Sequence, residues 1–257
     1  MNAAQTAGAP VSAIVITRNE EAVIRRCLES LAWTREIVVL DSGSTDRTVE
    51  ICRELGATVH TTDDWPGFGP QKNRALDRAT SDWVLSLDAD EWVTPALRAE
   101  IERVISKADA RPGYAIPRRS SFCGRFMKHS GWWPDYVVRL FRREAGRFSD
   151  DRAHERVVLQ GRLGRLREPL MHEAVRSIEQ MLAKMDGYSS ASAEARFQQG
   201  RRASLATAVI HGAWAFFRTY VLRLGFLDGR EGFILAVANA EGSYYRYVKL
   251  VMLARSR

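Results

Sequence analysis

Cysteine is scarce in this chain of 257 residues, and its scarcity excludes two classes of protein. Cys27, Cys52 and Cys123 are widely spaced, odd in number and without a CxxC pair. Such spacing supports neither a disulfide framework nor a zinc site, and few unpaired cysteines are typical of a reducing compartment. We therefore expect a cytoplasmic protein.

A secretory signal and internal repeats are also missing. Residues 1–10, MNAAQTAGAP, contain neither a basic region nor an apolar run, and they predict a disordered N-terminus. No period of 20 to 50 residues indicates a solenoid. Apolar residues make up 46% of the chain, which is enough for a hydrophobic core. The rest of the chain therefore predicts a globular fold.

The positive charge is concentrated in the last third of the chain. The net charge is +7, and residues 174–257 carry 12 Lys or Arg against 6 Asp or Glu. A basic surface serves nucleic acid, anionic lipid or phosphorylated substrates, and composition does not choose among them. Because no nucleic-acid-binding motif is present, we expect no nucleic-acid partner.

Short apolar runs alternate with amphipathic stretches through the first hundred residues. This alternation predicts an α/β fold with a parallel, Rossmann-like sheet flanked by helices. The predicted strands are 11–17, 36–41, 57–61 and 83–88, and the predicted helices are 20–31, 45–55 and 70–79.

Polar clusters follow these predicted strands, where ligands bind in parallel sheets. The strand WVLSL ends in Asp88 and Asp90, whose oxygens suit Mg²⁺ or Mn²⁺, although a solvated turn at a helix start explains them as well. In DSGSTDRT, Asp41 precedes a glycine turn, and Ser44 or Thr45 is placed to cap the next helix. The loop fits neither the GxGxxG nor the Walker pattern.

Four motifs in order make residues 12–98 resemble the nucleotide-binding half of family-2 glycosyltransferases of the GT-A type. The motifs are VITRNE, VVLDSGSTDRTVEIC, QKNRALDRAT and LSLDADEW. The resemblance implies a nucleotide-sugar donor, with Asp41 at the base of the nucleotide and Asp88 and Asp90 as the DXD pair that holds a divalent cation. Further donor-site residues that it implies are Thr17, Asn19, Glu20, Ser42, Lys72 and Arg74. Lys72 and Arg74 also fit a solvated helix face.

The middle of the chain resembles a narrower group, the lipopolysaccharide inner-core β-1,4-glucosyltransferases. The motifs are FCGRFMKHSGWWPDYVVRLFRR at 122–143, AHE at 153–155, PLMHEA at 169–174 and GFLDGREGFILAVANA near the end. The resemblance implies transfer of a hexose, glucose from UDP-glucose, to the heptose of a lipid-anchored oligosaccharide. It implies a GT-A domain at 11–175, and the aromatic and basic pattern of the remaining chain predicts a helical, membrane-associating region at 176–257.

Inverting transfer needs a carboxylate that takes the proton of the acceptor hydroxyl. The candidates are Asp135, Asp150, Asp151 and Glu155. The resemblance favours Glu155, since His154-Glu155 stands where family members carry an acidic pair, and Asp135 is the second choice. An ordinary surface acid is the alternative for Glu155. His172, on a further predicted strand, is implied as a metal ligand, with a structural histidine as the alternative.

Two segments indicate the acceptor side. Residues 110–134 carry five basic residues and no acid, which suits a phosphorylated or carboxylated acceptor or a solvated loop. Residues 204–224 predict an aromatic-rich helix, and the charge-free run at its start, residues 203–217, has 15 residues and is short for a membrane span. With the aromatic and basic residues of 244–257, it predicts peripheral binding to the anionic inner-membrane surface, or a helix packed on the catalytic domain.

Two other functions remain open at this point. A GT-A transferase with a polyprenyl phosphate or protein acceptor carries the same donor motifs. A non-catalytic, basic membrane-binding protein is a different class, but such a protein has no need of the DXD pair at Asp88 and Asp90.

Overall fold

The computed structural model describes residues 9–150 and 155–255, which form two compact units. The first unit takes the chain up to Arg118 and again from Asp135 to His172, and the second takes Arg119–Pro134 and Glu173–Arg257. The prediction kept residues 119–134 in the GT-A domain and divided the chain after residue 175. The structure groups this segment with the C-terminal part because the Asp228 carboxylate accepts the backbone N–H groups of Lys128 and His129, each at 3.0 Å.

A mixed sheet with helices on both sides makes up most of the first unit, and β7 with the ends of β6 and β12 belongs to the second. The strand order is β3-β2-β1-β4-β8-β6-β12-β5, with β7 and β11 also paired to β6. The strands β1 to β4 are parallel, whereas β8 runs antiparallel to β4 and β6. The elements in chain order are β1 Ala9–Thr17, α1 Ile24–Glu29, β2 Thr34–Asp41, α2 Thr48–Glu54, β3 Thr58–Thr61, α3 Phe68–Leu76, β4 Trp83–Asp88, β5 Glu91–Trp92, α4 Pro95–Ile105, β6 Gly113–Phe122, β7 Arg125–Phe126, β8 Asp135–Arg142, β9 Gly146–Phe148, β10 Val157–Leu159, β11 Gly164–Arg165 and β12 Leu170–Val175.

The central strands are apolar on both faces because helices cover both. On β1, Val11 and Val15 belong to the larger core cluster, while Ile14 and Ile16 belong to the smaller one. A strand buried on two sides reads as a continuous apolar run, which is why β1 and β4 were predictable from the sequence. Strand β1 begins two residues before the predicted start, at Ala9, and residues 1–8 lie outside the described part of the chain.

Helices α1 and α2 are shorter than predicted because side chains accept hydrogen bonds from the backbone N–H groups at their predicted starts. Neither Ser44 nor Thr45 caps α2: the Thr45 N–H donates to the Asn19 side chain at 2.8 Å. The Asp46 carboxylate accepts the Thr48 N–H at 3.0 Å instead. Helix α1 begins only at Ile24, because the chain leaves β1 through Asn19, whose φ is 55°.

Helices dominate the second unit. They are α5 Ile178–Gln198, α6 Leu205–Phe217, a π-helical turn Arg218–Leu222, a 3₁₀ turn Gly225–Asp228 and α7 Gly229–Arg255. Ser204 caps α6 in a reciprocal arrangement with Thr207. Helices α6 and α7 approach closely at Gly212, where a Cβ atom would lie 3.3 Å from the Ala240 carbonyl oxygen.

By length and composition alone, Leu205–Leu222 is long and apolar enough to cross a membrane. Its mean hydropathy is 1.2 over 18 residues, and 22% of the window is buried. This continuous helical stretch is longer than the charge-free run on which the sequence argument against a span relied. Because a core helix of a soluble protein passes the same test, the peripheral arrangement stays a prediction.

Candidate active site

Three of the polar clusters meet at one edge of the sheet. In the strand register, Thr17 of β1 lies beside Asp41 of β2, and Ile16 lies beside Asp88 of β4. The carboxyl ends of parallel strands share an edge, so the loops that follow them surround a common space. The structure thus brings together the clusters that the sequence placed after separate strands.

Lys72 connects the DAD motif to the predicted base. Its side chain is 2% exposed, and its Nζ lies 2.8 Å from Asp88 Oδ1 and 2.9 Å from Glu155 Oε1. A buried ammonium is retained where opposite charges surround it, and here two carboxylates do so. Lys72 and Glu155 are 83 positions apart in the chain, so only the tertiary structure shows this contact.

Helix α3 is held so that Lys72 reaches this position. The Asn73 amide exchanges two hydrogen bonds with the Phe148 backbone, each at 2.9 Å, and this ties α3 to β9. Gly69 permits the approach, because a Cβ atom there would lie 1.9 Å from the Ser149 carbonyl oxygen. The glycine in FGPQK is therefore required by the backbone that leads toward Glu155.

Arg139 is a site residue that the sequence reasoning missed. It lies on β8, is 6% exposed, and its Nη2 donates to Asp88 Oδ2 and, at 2.7 Å, to Glu91 Oε1. Glu91 is fully buried and its second oxygen accepts the Asp88 N–H at 3.0 Å. The signal was an arginine inside the apolar run VVRLF, since a buried strand rarely carries a charge without a partner.

The same network reaches the second candidate base. Arg118 on β6 donates to Asp135 Oδ2 through Nη2 at 2.7 Å and through Nε at 3.1 Å. Its Nη1 lies 3.3 Å from Glu91 Oε1. Three cations and four carboxylates therefore form one continuous chain of ion pairs, running through Glu155, Lys72, Asp88, Arg139, Glu91, Arg118 and Asp135.

This network keeps Asp88 ionised. Burial acts to raise the pKa of Asp88, but Arg139 and Lys72 outweigh it and hold that pKa well below its ordinary value. Burial likewise acts to lower the pKa of Arg139, and Asp88 with Glu91 raises it above its ordinary value instead. The edge of the sheet consequently presents fixed charges of both signs at neutral pH.

A cleft of about 390 Å³ opens over these groups. Lys72, Asp88, Arg139 and Glu155 line it together with apolar side chains of β8, β9 and β10. Asp135 is not among its lining residues, although its neighbour Tyr136 is. The cleft therefore joins the donor-side carboxylate to Glu155 more directly than to Asp135.

Asp41 organises its own turn. Its Oδ2 accepts the N–H groups of Gly43 and Ser44, each at 3.0 Å, and its Oδ1 accepts the Ser44 hydroxyl. Gly43 has a φ of 78°, which a glycine adopts without strain. The carboxylate retains acceptor capacity for one further donor, so recognition of a nucleotide base by Asp41 stays a prediction.

Asn19 and Glu20 join the first loop to the second. The backbone N–H of Asn19 donates to Ser44 Oγ and that of Glu20 to Thr48 Oγ1, each at 2.8 Å. These contacts fix the position of one loop against the other. Asn19 and Glu20, which the resemblance assigned to the nucleotide site, thus hold the first loop against the second.

The remaining predicted donor residues have different surroundings. Ser42 Oγ accepts from the buried Gln71 amide at 2.9 Å, while Thr17 Oγ1 is buried and has no hydrogen-bond partner within the described residues. Arg74 forms a two-bond ion pair with Asp64, at 2.7 and 2.8 Å. The structure therefore brings Lys72 into the cleft and pairs Arg74 with an exposed acid.

Asp90 and His172, two of the three residues that the resemblance implies as metal ligands, lie close together. His172 Nε2 is 3.4 Å from Asp90 Oδ2, because β12 pairs with β5 at His172 and Glu91. Within the described residues there is no group of three or more His, Cys, Asp or Glu placed to bind one ion. Mg²⁺ is ordinarily held by one or two carboxylates together with substrate phosphates, so this two-residue donor set fits a cation that a bound diphosphate completes.

Asp88 serves the ion-pair network in this structure. Lys72 and Arg139 each occupy one of its two carboxylate oxygens. A metal ion held by Asp88 would have to add to these contacts or replace one of them. Of the other acids weighed as the base, Asp150 is exposed at the end of the described segment, and Asp151 lies outside the described residues, as does His154.

Comparison with known proteins places this site in a family. The family model described as "Glycosyl transferase family 2" matches residues 12–161, which is more than half of the chain. The chain is a family-2 glycosyltransferase. The transferase is 30% identical over 252 residues to the lipopolysaccharide core biosynthesis glycosyltransferase LpsC of Rhizobium meliloti (strain 1021), across 94% of this chain and 92% of that protein. It is also 32% identical over 255 residues to the glycosyltransferase RT0209 of Rickettsia typhi (strain ATCC VR-144 / Wilmington), across 93% of this chain and 86% of that protein.

Solved structures confirm the fold. The transferase superimposes on residues 1–349 of S. aureus TarS in complex with UDP-GlcNAc with a TM-score of 0.50 and 16% identity. The match covers 96% of this chain and 91% of that chain. The predicted GT-A fold, a largely parallel sheet flanked by helices with a helical C-terminal part, is therefore confirmed, and the resemblance to lipopolysaccharide core transferases is confirmed by LpsC.

Proposed function

We propose that this transferase moves a hexose, with glucose from UDP-glucose as the first candidate, onto the heptose of a lipid-anchored lipopolysaccharide inner core. The observation that carries the proposal is the contact of Lys72 with both Asp88 and Glu155, at 2.8 and 2.9 Å. It joins the donor motif to a carboxylate suited to deprotonate an acceptor. LpsC, similar over 94% of this chain, supports the lipopolysaccharide acceptor by its name.

The donor occupies the loops after β1, β2 and β4. Asp41 accepts a hydrogen bond from the nucleotide base, and the Asn19–Glu20 loop lies beside it. Lys72 contacts the diphosphate from within the cleft, where carboxylates on two sides hold its ammonium group in place. Because this ammonium group is already buried, a diphosphate that binds there does not have to displace water from it.

Transfer proceeds with inversion at the anomeric carbon. The acceptor hydroxyl oxygen forms a bond to that carbon while the bond to the diphosphate oxygen breaks, and UDP departs with the electron pair. Glu155 accepts the hydroxyl proton, and its negative charge is thereby neutralised. The negative charge that develops on the leaving group departs with UDP. Lys72 on Oε1 orients this carboxylate and leaves it the capacity to accept the proton.

Glu155 fits the role of base better than Asp135. Glu155 lines the same cleft as Lys72 and Asp88, and its side chain is 21% exposed. Asp135 is 43% exposed and is held by two donors of Arg118. Asp135 therefore fits better as the residue that holds Arg118 in place beside the buried Glu91.

Asp90 and His172 would hold a divalent cation, Mg²⁺ or Mn²⁺, with Asp88 nearby. When bound, such an ion supplies positive charge to the leaving diphosphate. Removal of the ion with EDTA is expected to abolish transfer, and Asp90→Asn is expected to do the same with the fold intact. Full activity of Asp90→Asn would place the leaving-group stabilisation on Lys72 and Arg139 alone.

The second unit binds the cytoplasmic face of the inner membrane in this proposal. Its exposed large apolar residues include Leu205, Val209, Ile210, Trp214, Phe217, Val221, Leu222, Leu224, Phe226 and Leu227. Contiguous exposed apolar area of this kind marks an interaction surface, and the exposed arginines 218, 223 and 230 supply attraction to anionic lipid. A lipid-anchored acceptor would be presented to the enzyme at that surface.

The decisive experiment is a product assay. Purified full-length protein is incubated with UDP-glucose, UDP-GlcNAc or a GDP-sugar, with Mg²⁺ or Mn²⁺, and with heptose-bearing core lipid, polyprenyl phosphate or peptide, and the products are weighed by mass spectrometry. A hexose added to the heptose lipid supports the proposal. Transfer only to polyprenyl phosphate or peptide would contradict the acceptor, and no transfer with any pair would contradict the enzyme assignment.

Two matched variants test the assignment of the base. Glu155→Gln is expected to lower kcat by about 10²- to 10⁴-fold while leaving the affinity for the UDP-sugar near normal, because a base acts in the transition state. Asp135→Asn is the matched control. If Asp135→Asn loses turnover with normal donor binding and Glu155→Gln stays active, the two roles must be exchanged.

Liposome co-sedimentation tests the membrane proposal. Binding to vesicles that contain phosphatidylglycerol should weaken as salt rises, and Trp214→Ser with Phe217→Ser should abolish it. Absence of wild-type binding at low salt would assign these helix faces to another partner.

A further inference from the structure

A second depression lies at the other end of the strands of the first unit. Its volume is about 620 Å³, and its floor includes Tyr114 at the beginning of β6 and Gly164 of β11. Tyr114 pairs with Leu140 of β8, whereas Arg118 of the active site pairs with Asp135. Four residues of strand, about 13 Å, therefore separate this floor from the active-site end of β6.

Cations dominate the lining of this pocket. Two acids, Glu100 and Asp109, face six basic residues, which are Arg103, Lys107, Arg111, Arg162, Arg165 and Arg167. They come from two segments about fifty residues apart in sequence, 103–111 from the end of α4 to just before β6 and 162–167 around β11. The fold therefore gathers a net positive charge at one place that no single basic run in the sequence displays.

One of the two acids, Glu100, already forms hydrogen bonds with the protein backbone. Glu100 is 8% exposed, and its Oε2 accepts the backbone N–H groups of Arg167 and Glu168 at 2.9 and 2.8 Å. Its Oε1 lies 3.4 Å from Arg103. Glu100 thus fixes the loop that carries Arg167 and has little capacity left to neutralise the other cations.

Five of the six cations have no acidic partner within the described residues, and four of these five have no aromatic partner either. Among residues 9–150 and 155–255, the side chains of Lys107, Arg111, Arg162 and Arg167 form no ion pair with a carboxylate. Arg165 differs, because its guanidinium lies 4.8 Å from the centre of the Tyr136 ring. Unpaired guanidinium groups that converge on one depression produce a positive potential there, and their planar donors match phosphate oxygens.

The floor of the pocket is built to keep this shape. The Tyr114 hydroxyl accepts the Arg111 backbone N–H at 3.0 Å, and Tyr114 is 7% exposed. The Tyr114 ring lies against Gly164, where a Cβ atom would be 2.3 Å from Tyr114 Cδ1. The pocket is therefore preformed, which lowers the cost of binding a ligand.

We propose that this basic pocket is a second binding site, distinct from the transfer site, for a phosphate-bearing ligand. The ligand is either a soluble phosphorylated compound or the phosphate headgroup of a lipid, since both present the same oxygens to the guanidinium groups. The pocket size and its four unpaired cations match a group with two or more negative charges better than a single carboxylate.

The test uses the full chain without nucleotide or divalent metal. Inorganic pyrophosphate is titrated into ¹⁵N-labelled protein at low ionic strength, and the backbone amides of residues 111 and 163–167 are followed by NMR. The pocket variant Arg111→Ser/Arg167→Ser is expected to lose affinity by about tenfold or more, because each arginine supplies a charge-assisted contact. The control Arg35→Ser/Arg53→Ser removes the same charge from exposed positions elsewhere and should bind as the wild type does.

A parallel arm distinguishes the source of the phosphate. Wild type, pocket variant and control are sedimented with vesicles of phosphatidylcholine alone or mixed equally with phosphatidylglycerol. Pyrophosphate binding lost only in the pocket variant supports a soluble ligand. Because the second unit is itself proposed to bind these vesicles, vesicle binding that is weaker in the pocket variant than in the control supports a headgroup. If neither differs between the pocket variant and the control, the proposal is wrong. Should the amide spectrum show that the first variant is unfolded, Lys107→Ser/Arg162→Ser replaces it.

Discussion

The contact between Lys72 and Glu155 is open to a direct energetic test, the double-mutant cycle of Lys72→Met and Glu155→Gln. Lys72→Met removes a buried cation from two carboxylates. Breaking a buried ion pair costs about 3–5 kcal/mol of unfolding free energy when the remaining charge has no other partner. Asp88 retains Arg139, and Glu155 is 21% exposed, so the expected cost is about 2–3 kcal/mol.

Glu155→Gln is expected to cost less. Lys72 keeps Asp88 at 2.8 Å, so the variant loses one charge-assisted hydrogen bond, worth about 1–2 kcal/mol. Because both changes remove the same bond, the double variant should be destabilised by about 1–2 kcal/mol less than the sum of the two. The measurement is urea unfolding of metal-free protein, with hydrogen exchange of the β1 and β4 amides to report on the first unit.

A control cycle gives the result expected for two substitutions that do not interact. Lys72→Met is combined with Glu50→Gln, which breaks the exposed pair of Arg47 and Glu50 and shares no partner with Lys72. That combination should be additive within about 0.5 kcal/mol. If the coupling of Lys72 with Glu155 is as small as this, Lys72 does not hold the base, and the observation that carries the proposed function is refuted.

Three further predictions follow from named hydrogen bonds. Burial acts to raise the pKa of Glu36, but the hydrogen bonds from Ser12 and Thr80 hold it below its ordinary value; the stabilisation is full above about pH 4.3 and is lost as the pH falls through the lowered pKa. Glu36→Gln should therefore cost about 1 kcal/mol in urea unfolding at pH 7 and progressively less as the pH falls below about 4.3, and a constant difference would contradict this. Asn73→Ala should lower the unfolding free energy by about 2 kcal/mol, whereas an unchanged urea midpoint would show that α3 does not depend on Phe148. Asp41→Ala should weaken UDP binding in calorimetry, because it removes an acceptor and releases the turn at Gly43, and unchanged affinity would place the nucleotide elsewhere.

The sequence by itself determined the parallel half of the sheet. Strands β1 and β4 are buried on both faces, so their apolar runs are continuous, and polar clusters had to follow them at the sheet edge. The order of the motifs after those strands sufficed to indicate the family, and the family model confirms it. Local pattern is enough here because strand pairing between neighbouring βαβ units leaves few alternatives.

Only the tertiary structure decided which charges meet. Arg139 and Glu91 are buried ions whose role depends on Asp88, and no spacing rule reports a pair that lies 48 positions apart. For the same reason the sequence did not indicate that segment 119–134 is grouped with the C-terminal helices, where the Lys128 N–H donates to the buried Asp228 carboxylate. Periodicity along a chain shows which face of a helix or strand is apolar. A buried charge, by contrast, is stabilised by a partner from another part of the chain, and that partner is determined only by the folded tertiary structure.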